Sequence, residues 1–297
     1  MPTQKMHAPI QHAAIEERKE MKLLHPRFLL CRNVLSAGMA LLLLASTLHA
    51  ARPAARTLTV NLRGKPQSVQ IYEPAPGAPK RTVQVLVTSG DLGWLGISGD
   101  VPGHLQEQGY RVIGFNARTY VSSFTGGGGA HLEENWIPAD YEAVVDAASK
   151  GSMFPKEFVS IGVSEGAGLA VLAMGQPGAS ALCRGIIALG LPLKTALGWR
   201  WTDFTAWISK REPNERLAET KEYLVRLKVP IVMVHSTRDE YDLIDNVRAI
   251  FADAPEPKRF IAVDASNHRF SNKIPEVMSI LDTSISWMES LDRPTSR

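Results

Sequence analysis

Six short runs of the chain are apolar on nearly every residue: Val83 to Val87, Val112 to Phe115, Phe158 to Val163, Ile186 to Leu189, Val229 to Val234 and Phe260 to Val263. A strand with one wet face alternates apolar and polar residues, so strands without alternation are covered on both faces. That predicts a parallel sheet between layers of helices. The helices are written between the runs. After Pro138, residues Tyr141, Val144, Val145 and Ala148 fall on one stripe, and Val277, Leu281, Ile285 and Met288 do so near the end. Thr57 to Leu62 and Ser68 to Tyr72 do alternate, across a turn at Arg63-Gly64-Lys65-Pro66, and read as an opening antiparallel hairpin. The pattern is that of one α/β domain over 51–297, without internal repeats.

The run Phe158 to Val163 leads into Gly162-Val163-Ser164-Glu165-Gly166, followed by the apolar segment Ala167 to Met174. A G-x-S-x-G pentapeptide between strand and helix marks a sharp turn that exposes its serine, with glycines where side chains would strike backbone. A serine hydroxyl attacks only when a base takes its proton and an acid orients that base. On such a sheet the chain order is serine, acid, histidine. The run Val229 to Val234 leads to Asp239, with Asp242 as the nearest substitute, and the run Phe260 to Val263 leads to His268. All three residues then lie beyond carboxyl ends of strands, where open α/β sheets keep their sites. His235, His104 and His131 are worse placed. The oxyanion would be held by the backbone N–H of Glu165 and by one in Thr88-Ser89-Gly90-Asp91-Leu92-Gly93-Trp94, Asp91 first and Leu92 second. The Asp91 side chain is expected to turn away and cap the next helix.

The loop Ser89 to Trp94, the elbow Gly162 to Gly166 and the stretch Asn267-His268-Arg269-Phe270 together resemble an α/β-hydrolase. Within that superfamily the chain is most similar to the VirJ-type bacterial virulence proteins (the AcvB/VirJ family), over roughly Val83 to Met288. The chain departs from that family at Asn116-Ala117-Arg118-Thr119-Tyr120, a spaced version of its usual Asp and Arg-Tyr group, and at Glu165, where an aromatic is common. The resemblance implies a periplasmic serine hydrolase. Some relatives are associated with hydrolysis of lysyl-phosphatidylglycerol, which makes an aminoacyl-phospholipid ester a substrate to consider.

The net charge of +3 belongs to the first 50 residues, where Lys5, Arg18, Lys19, Lys22, Arg27 and Arg32 oppose Glu16, Glu17 and Glu20. The remainder is balanced and lacks the basic footprint of a nucleic-acid binder. Arg27 and Arg32 precede an uncharged run, Asn33 to Leu48, then Ala50 and Ala51, which is the pattern of a cleaved export signal. Met21 is an alternative start, and an uncleaved anchor is the alternative outcome, though the run is short of the ~20 residues of a spanning helix. The exported protein would keep Cys183 alone, a structural thiol in a periplasmic or secreted chain.

A long connection, about 191–228, holds Trp199, Trp201, Phe204 and Trp207, where these folds insert a small cap. With Trp94, Arg118 and Tyr120, Trp199 and Trp201 are candidate substrate contacts, and the cap is a candidate peripheral membrane contact. Gly126 to Gly129 reads as a loop, not a phosphate cradle. No metal-ligand spacing and no cofactor motif is present, so neither is expected. The reading is a serine esterase with Ser164 as nucleophile, His268 as base and Asp239 as orienter, acting on a small-molecule or lipid ester. A thioesterase or peptidase would use the same residues, and a noncatalytic binding or assembly factor could retain the fold.

Overall fold

The computed structural model describes residues 55–126, 130–198 and 216–291. Residues 1–50, expected to direct export, Gly127 to Gly129, and Trp199, Trp201, Phe204 and Trp207, expected in a cap, lie outside them.

The chain opens with a hairpin, β1 (Arg56–Leu62) and β2 (Lys65–Tyr72). Then follow β3 (Gln84–Thr88), α1 (Ile97–Glu107), β4 (Val112–Phe115), α2 (Ala117–Phe124), α3 (Ile137–Ser149), β5 (Phe158–Val163) and α4 (Glu165–Met174). After β6 (Cys183–Leu189) come a short pair, β7 (Lys194–Ala196) and β8 (Leu217–Glu219), and the one-turn helix α5 (Thr220–Leu224). The chain continues with β9 (Ile231–Ser236), α6 (Ile244–Ala252), β10 (Lys258–Val263) and α7 (Ile274–Ser290).

Eight strands form one sheet in the order β1-β2-β4-β3-β5-β6-β9-β10. The first two interfaces are antiparallel and every one from β4 to β10 is parallel. Each apolar run of the sequence occupies one of these parallel strands. Their continuity has a simple cause: Val85 and Val87 of β3 enter the core layer under α1 and α7, while Leu86 between them enters the layer under α3 and α4. The strands β5 and β9 divide their side chains between the same two layers. Each fully buried Val, Leu or Ile stabilises the fold by about 1.5–3 kcal/mol relative to exposure. β10, at the sheet's edge, is less covered than the rest.

The strand order reverses at β3, since β4 lies on one side of it and β5 on the other. At such a switch point the connections leave the carboxyl ends in opposite directions and open a crevice. The loop after β3 and the turn at Ser164 meet there.

Candidate active site

The turn from β5 into α4 holds Ser164 at φ 52° and ψ −121°. A non-glycine residue there costs roughly 1–3 kcal/mol and persists only where its surroundings dictate it. They do so here. A Cβ on Gly162 would collide with the Gly166 carbonyl and the Ala167 backbone, and one on Gly166 with the carbonyls of Thr88 and Ser89. The Ser164 amide donates to the Leu189 carbonyl at 2.8 Å, pinning the turn to β6.

His268 comes from the loop after β10, with Nε2 2.9 Å from Ser164 Oγ. Its Nδ1 is 2.6 Å from Asp239 Oδ2, in the loop after β9. Asp239 Oδ1 accepts the backbone amides of Tyr241 at 2.9 Å and Asp242 at 3.2 Å. With Asp239 ionised, the Nδ1 proton points to the carboxylate and the Nε2 lone pair to the serine hydroxyl. The structure therefore brings together the three residues singled out from sequence. Asp242, the substitute, instead accepts the Leu193 amide at 3.2 Å.

The charges follow from the surroundings. Burial, the largest influence on Asp239, pushes its carboxyl up; the hydrogen bond and charge of His268, with the two amides, outweigh it and hold the group below its ordinary value. On His268 burial favours the neutral ring, but the Asp239 hydrogen bond and charge, then the charges of Glu240 and Asp91, outweigh it and raise the imidazole above 6.5.

Four neighbours carry no motif. Gly190, at φ 61°, gives the imidazole its floor: a Cβ there would lie 2.8 Å from His268 Cε1. Glu240 Oε2 accepts the His268 amide at 2.8 Å, and the Tyr241 ring stands edge-on to the imidazole at 5.1 Å. His235 is buried, donating from Nε2 to the Asp242 carbonyl at 2.8 Å with Asp239 Oδ2 3.5 Å away. Only glycine's rarity after an apolar strand could have flagged any of them, at Gly190.

Gly90 backs onto the nucleophile, where a Cβ would sit 3.5 Å from that of Ser164. Its amide is taken by Ser98 Oγ at 3.3 Å, whereas those of Asp91 and Glu165 donate to no described residue. The Asp91 side chain does not cap the next helix, contrary to expectation. α1 begins six residues later, after Gly96, without a side-chain cap. The Asp91 carboxylate is exposed, and its charge acts on both His268 and Glu165. The reason is the tight turn closed by the Gly93 amide on the Gly90 carbonyl at 2.9 Å, which leaves Asp91 at its tip.

The Glu165 side chain is half-buried. Burial pushes its carboxyl up to about 8, against the Ala196 amide that donates to Oε2 at 3.0 Å, with Asp91 and Asp242 raising it further. Glu165, Asp91 and Arg118 line a cleft beside the serine together with Ala117, Val121, Ala196 and Gly198. Arg118 thus stands where a substrate contact was expected. Tyr120 does not: α2 turns it into the core, where its hydroxyl donates to Asp140 Oδ2 at 2.7 Å. Nor does the Trp94 ring, which is half-buried, packs beside the side-chain-free Gly114 of β4 and rests on the core layer under α1. Trp199 and Trp201 lie outside the described residues.

The pattern of the bacterial virulence protein VirJ matches residues 82–181, and that of the PhoPQ-activated pathogenicity-related protein matches residues 211–297. No curated protein matches the chain. Among solved structures, Est1E from Butyrivibrio proteoclasticus with bound ferulic acid is 13% identical, covering 79% of this chain and all of its own at a TM-score of 0.58. The Pyrococcus furiosus esterase Pf2001 is 15% identical, covering 78% and 89% at 0.58. XC6422 from Xanthomonas campestris, a lidless α/β serine hydrolase, is 16% identical, covering 80% and 97% at 0.54. The likeness establishes the fold, that of an α/β-hydrolase, with VirJ similarity over the segment that includes the elbow.

Proposed function

We propose that this α/β-hydrolase is a serine esterase in which Ser164 attacks an acyl carbonyl. The observation that carries the proposal is the continuous chain from Ser164 through His268 to Asp239, at 2.9 and 2.6 Å. His268 Nε2 takes the serine proton as the bond to carbon forms, and Asp239 stabilises the imidazolium that results. The undonated amides of Asp91 and Glu165 would receive the developing oxyanion. The imidazolium then protonates the leaving oxygen, and water repeats the steps on the acyl-enzyme.

For the substrate, an aminoacyl ester of an anionic phospholipid suits the cleft. Exposed Asp91 offers a counter-charge to a cationic acyl group, and Arg118 one to a phosphate. Such a substrate places the enzyme outside the cytoplasm, delivered by the leader of residues 1–50. Sequencing the amino terminus of protein recovered from the periplasm tests that delivery: a start near Ala51 supports it, and an intact leader in the cytoplasm defeats it.

The activity test is labelling by a fluorophosphonate, which needs only an activated serine. The wild type should label, and Ser164→Ala should lose labelling with a drop in ester turnover of about 10³-fold or more at unchanged fold. Labelling that survives Ser164→Ala removes Ser164 from the mechanism, and a folded wild type that never labels removes the esterase. Faster release of lysine from lysyl-phosphatidylglycerol than of acetate from simple acetyl esters would support the lipid substrate, and the reverse order would reject it.

A further inference from the structure

The edge of the sheet opposite Ser164 has a cavity of about 590 Å³, far larger than the cleft beside the nucleophile and within the range of small-molecule sites. It opens between the end of α4, the start of β6, the connection from α5 to β9 and the end of α7. The floor is apolar: Met174, Val229, Pro230, Met288 and the thiol of Cys183. Burial pushes that thiol up to about 12, so it stays neutral and behaves as a small hydrophobe. Two flexible thioether chains let such a floor mould itself to a hydrocarbon.

The rim has the opposite character. Arg184, Arg226 and Lys228 line it, and no Asp or Glu does. Arg184 is already engaged, donating to the Leu291 carbonyl at 3.2 Å and standing 3.9 Å from Glu157. Arg226 only overlies the Tyr223 ring, at 5.9 Å, and among the described residues neither Arg226 nor Lys228 forms an ion pair with a carboxylate. Two uncompensated cations beside an apolar hollow are complementary to a molecule with one anionic head and one hydrocarbon body. A plain anion would leave the floor wet, and an uncharged lipid would leave the rim unmatched.

We propose that this cavity binds a single-chain fatty carboxylate, the chain against Met174 and Met288 and the carboxylate at Arg226 and Lys228. Arg226 offers a planar fork that fits a carboxylate with two parallel hydrogen bonds, and Lys228 adds a point charge. Its distance from the triad makes this site independent of whether Ser164 is a nucleophile.

Titration calorimetry of the full chain with laurate at pH 8 tests it, beside Ser164→Ala and the double variant Arg226→Ala, Lys228→Ala. Laurate should bind one per chain with a Kd of order micromolar, equally to wild type and Ser164→Ala. The double variant should bind at least tenfold more weakly with an unchanged melting temperature, since both side chains are exposed. Acetate and dodecanol, each lacking half of the ligand, should also bind at least tenfold more weakly. A second variant, Met174→Trp, fills the floor and should weaken laurate without touching the charges. Absence of saturable binding, binding that survives the double variant, or acetate binding as well as laurate would each overturn the proposal.

Discussion

Two turns at the carboxyl edge of the sheet draw a carboxyl group out of full contact with water, both under the charge of the same histidine, and they treat it oppositely. After β9, Asp239 receives the imidazole and two backbone amides, and its carboxyl falls below the ordinary range. After β5, Glu165 receives one amide, from Ala196, and rises to about 8. Burial raises both and is the largest influence on each. What separates them is the number of donors and the sign of the neighbouring charge: His268 faces Asp239, whereas Asp91 and Asp242 raise Glu165. Such a carboxyl is thus an anion where donors converge and an acid where they do not.

The strongest way to break the comparison is Asp239→Asn. An amide at this position keeps the shape but neither fixes the tautomer of His268 nor stabilises its charged form. Turnover of an activated ester should fall about 10³- to 10⁴-fold with the fold retained. A loss below tenfold would mean that the Asp239 charge is not used.

Glu165→Gln tests the other half, and its readout is stability. The folded protein holds the Glu165 proton up to about pH 8, while the unfolded chain releases it near 4.5. Between those values the folded state binds more protons, so the contribution of Glu165 to stability declines as the pH rises through the window. Asp239 runs the other way, stabilising above its unfolded value and losing that contribution as the pH falls through its lowered folded value. Thermal melts from pH 5 to 9 should show Glu165→Gln declining less than wild type. At pH 9 the variant should melt at least ~4 °C higher, the equivalent of 1–2 kcal/mol in a domain this size. Parallel melting curves would place Glu165 in contact with solvent or a cation.

The sheet was legible because strands covered on both faces cannot alternate, and Val85, Leu86 and Val87 announce that directly. The triad was legible because an elbow needs glycines at fixed offsets and because chain order restricts its partners. Side-chain direction was not. Tyr120 and Arg118 sit two residues apart on α2, so their side chains point about 200° apart around the axis, and only Arg118 reaches the cleft. Without a helix assigned at 117–124, nothing distinguished them. Asp91 does not cap α1 as expected because a tight turn and Gly96 lie between them. Glu240 acts on His268 through a contact made only in three dimensions, and no local pattern encodes it; for Gly190 the one local sign is a glycine after an apolar strand.

The finest test adjusts the base shared by the two sides. Glu240 accepts the His268 amide through Oε2, and its charge helps raise the imidazole above 6.5. Glu240→Gln keeps the acceptor and removes the charge. The ring must be neutral to take the serine proton, so kcat/KM should rise with pH through the His268 value, with its acid limb above pH 6.5 in the wild type. The variant should move that limb to lower pH while leaving the plateau nearly unchanged. The direction is what counts, because a purely structural role for Glu240 would lower the plateau and leave the limb in place. An upward shift would mean that the lost charge matters less than a displaced His268, and that Asp239 alone sets the basicity of the ring.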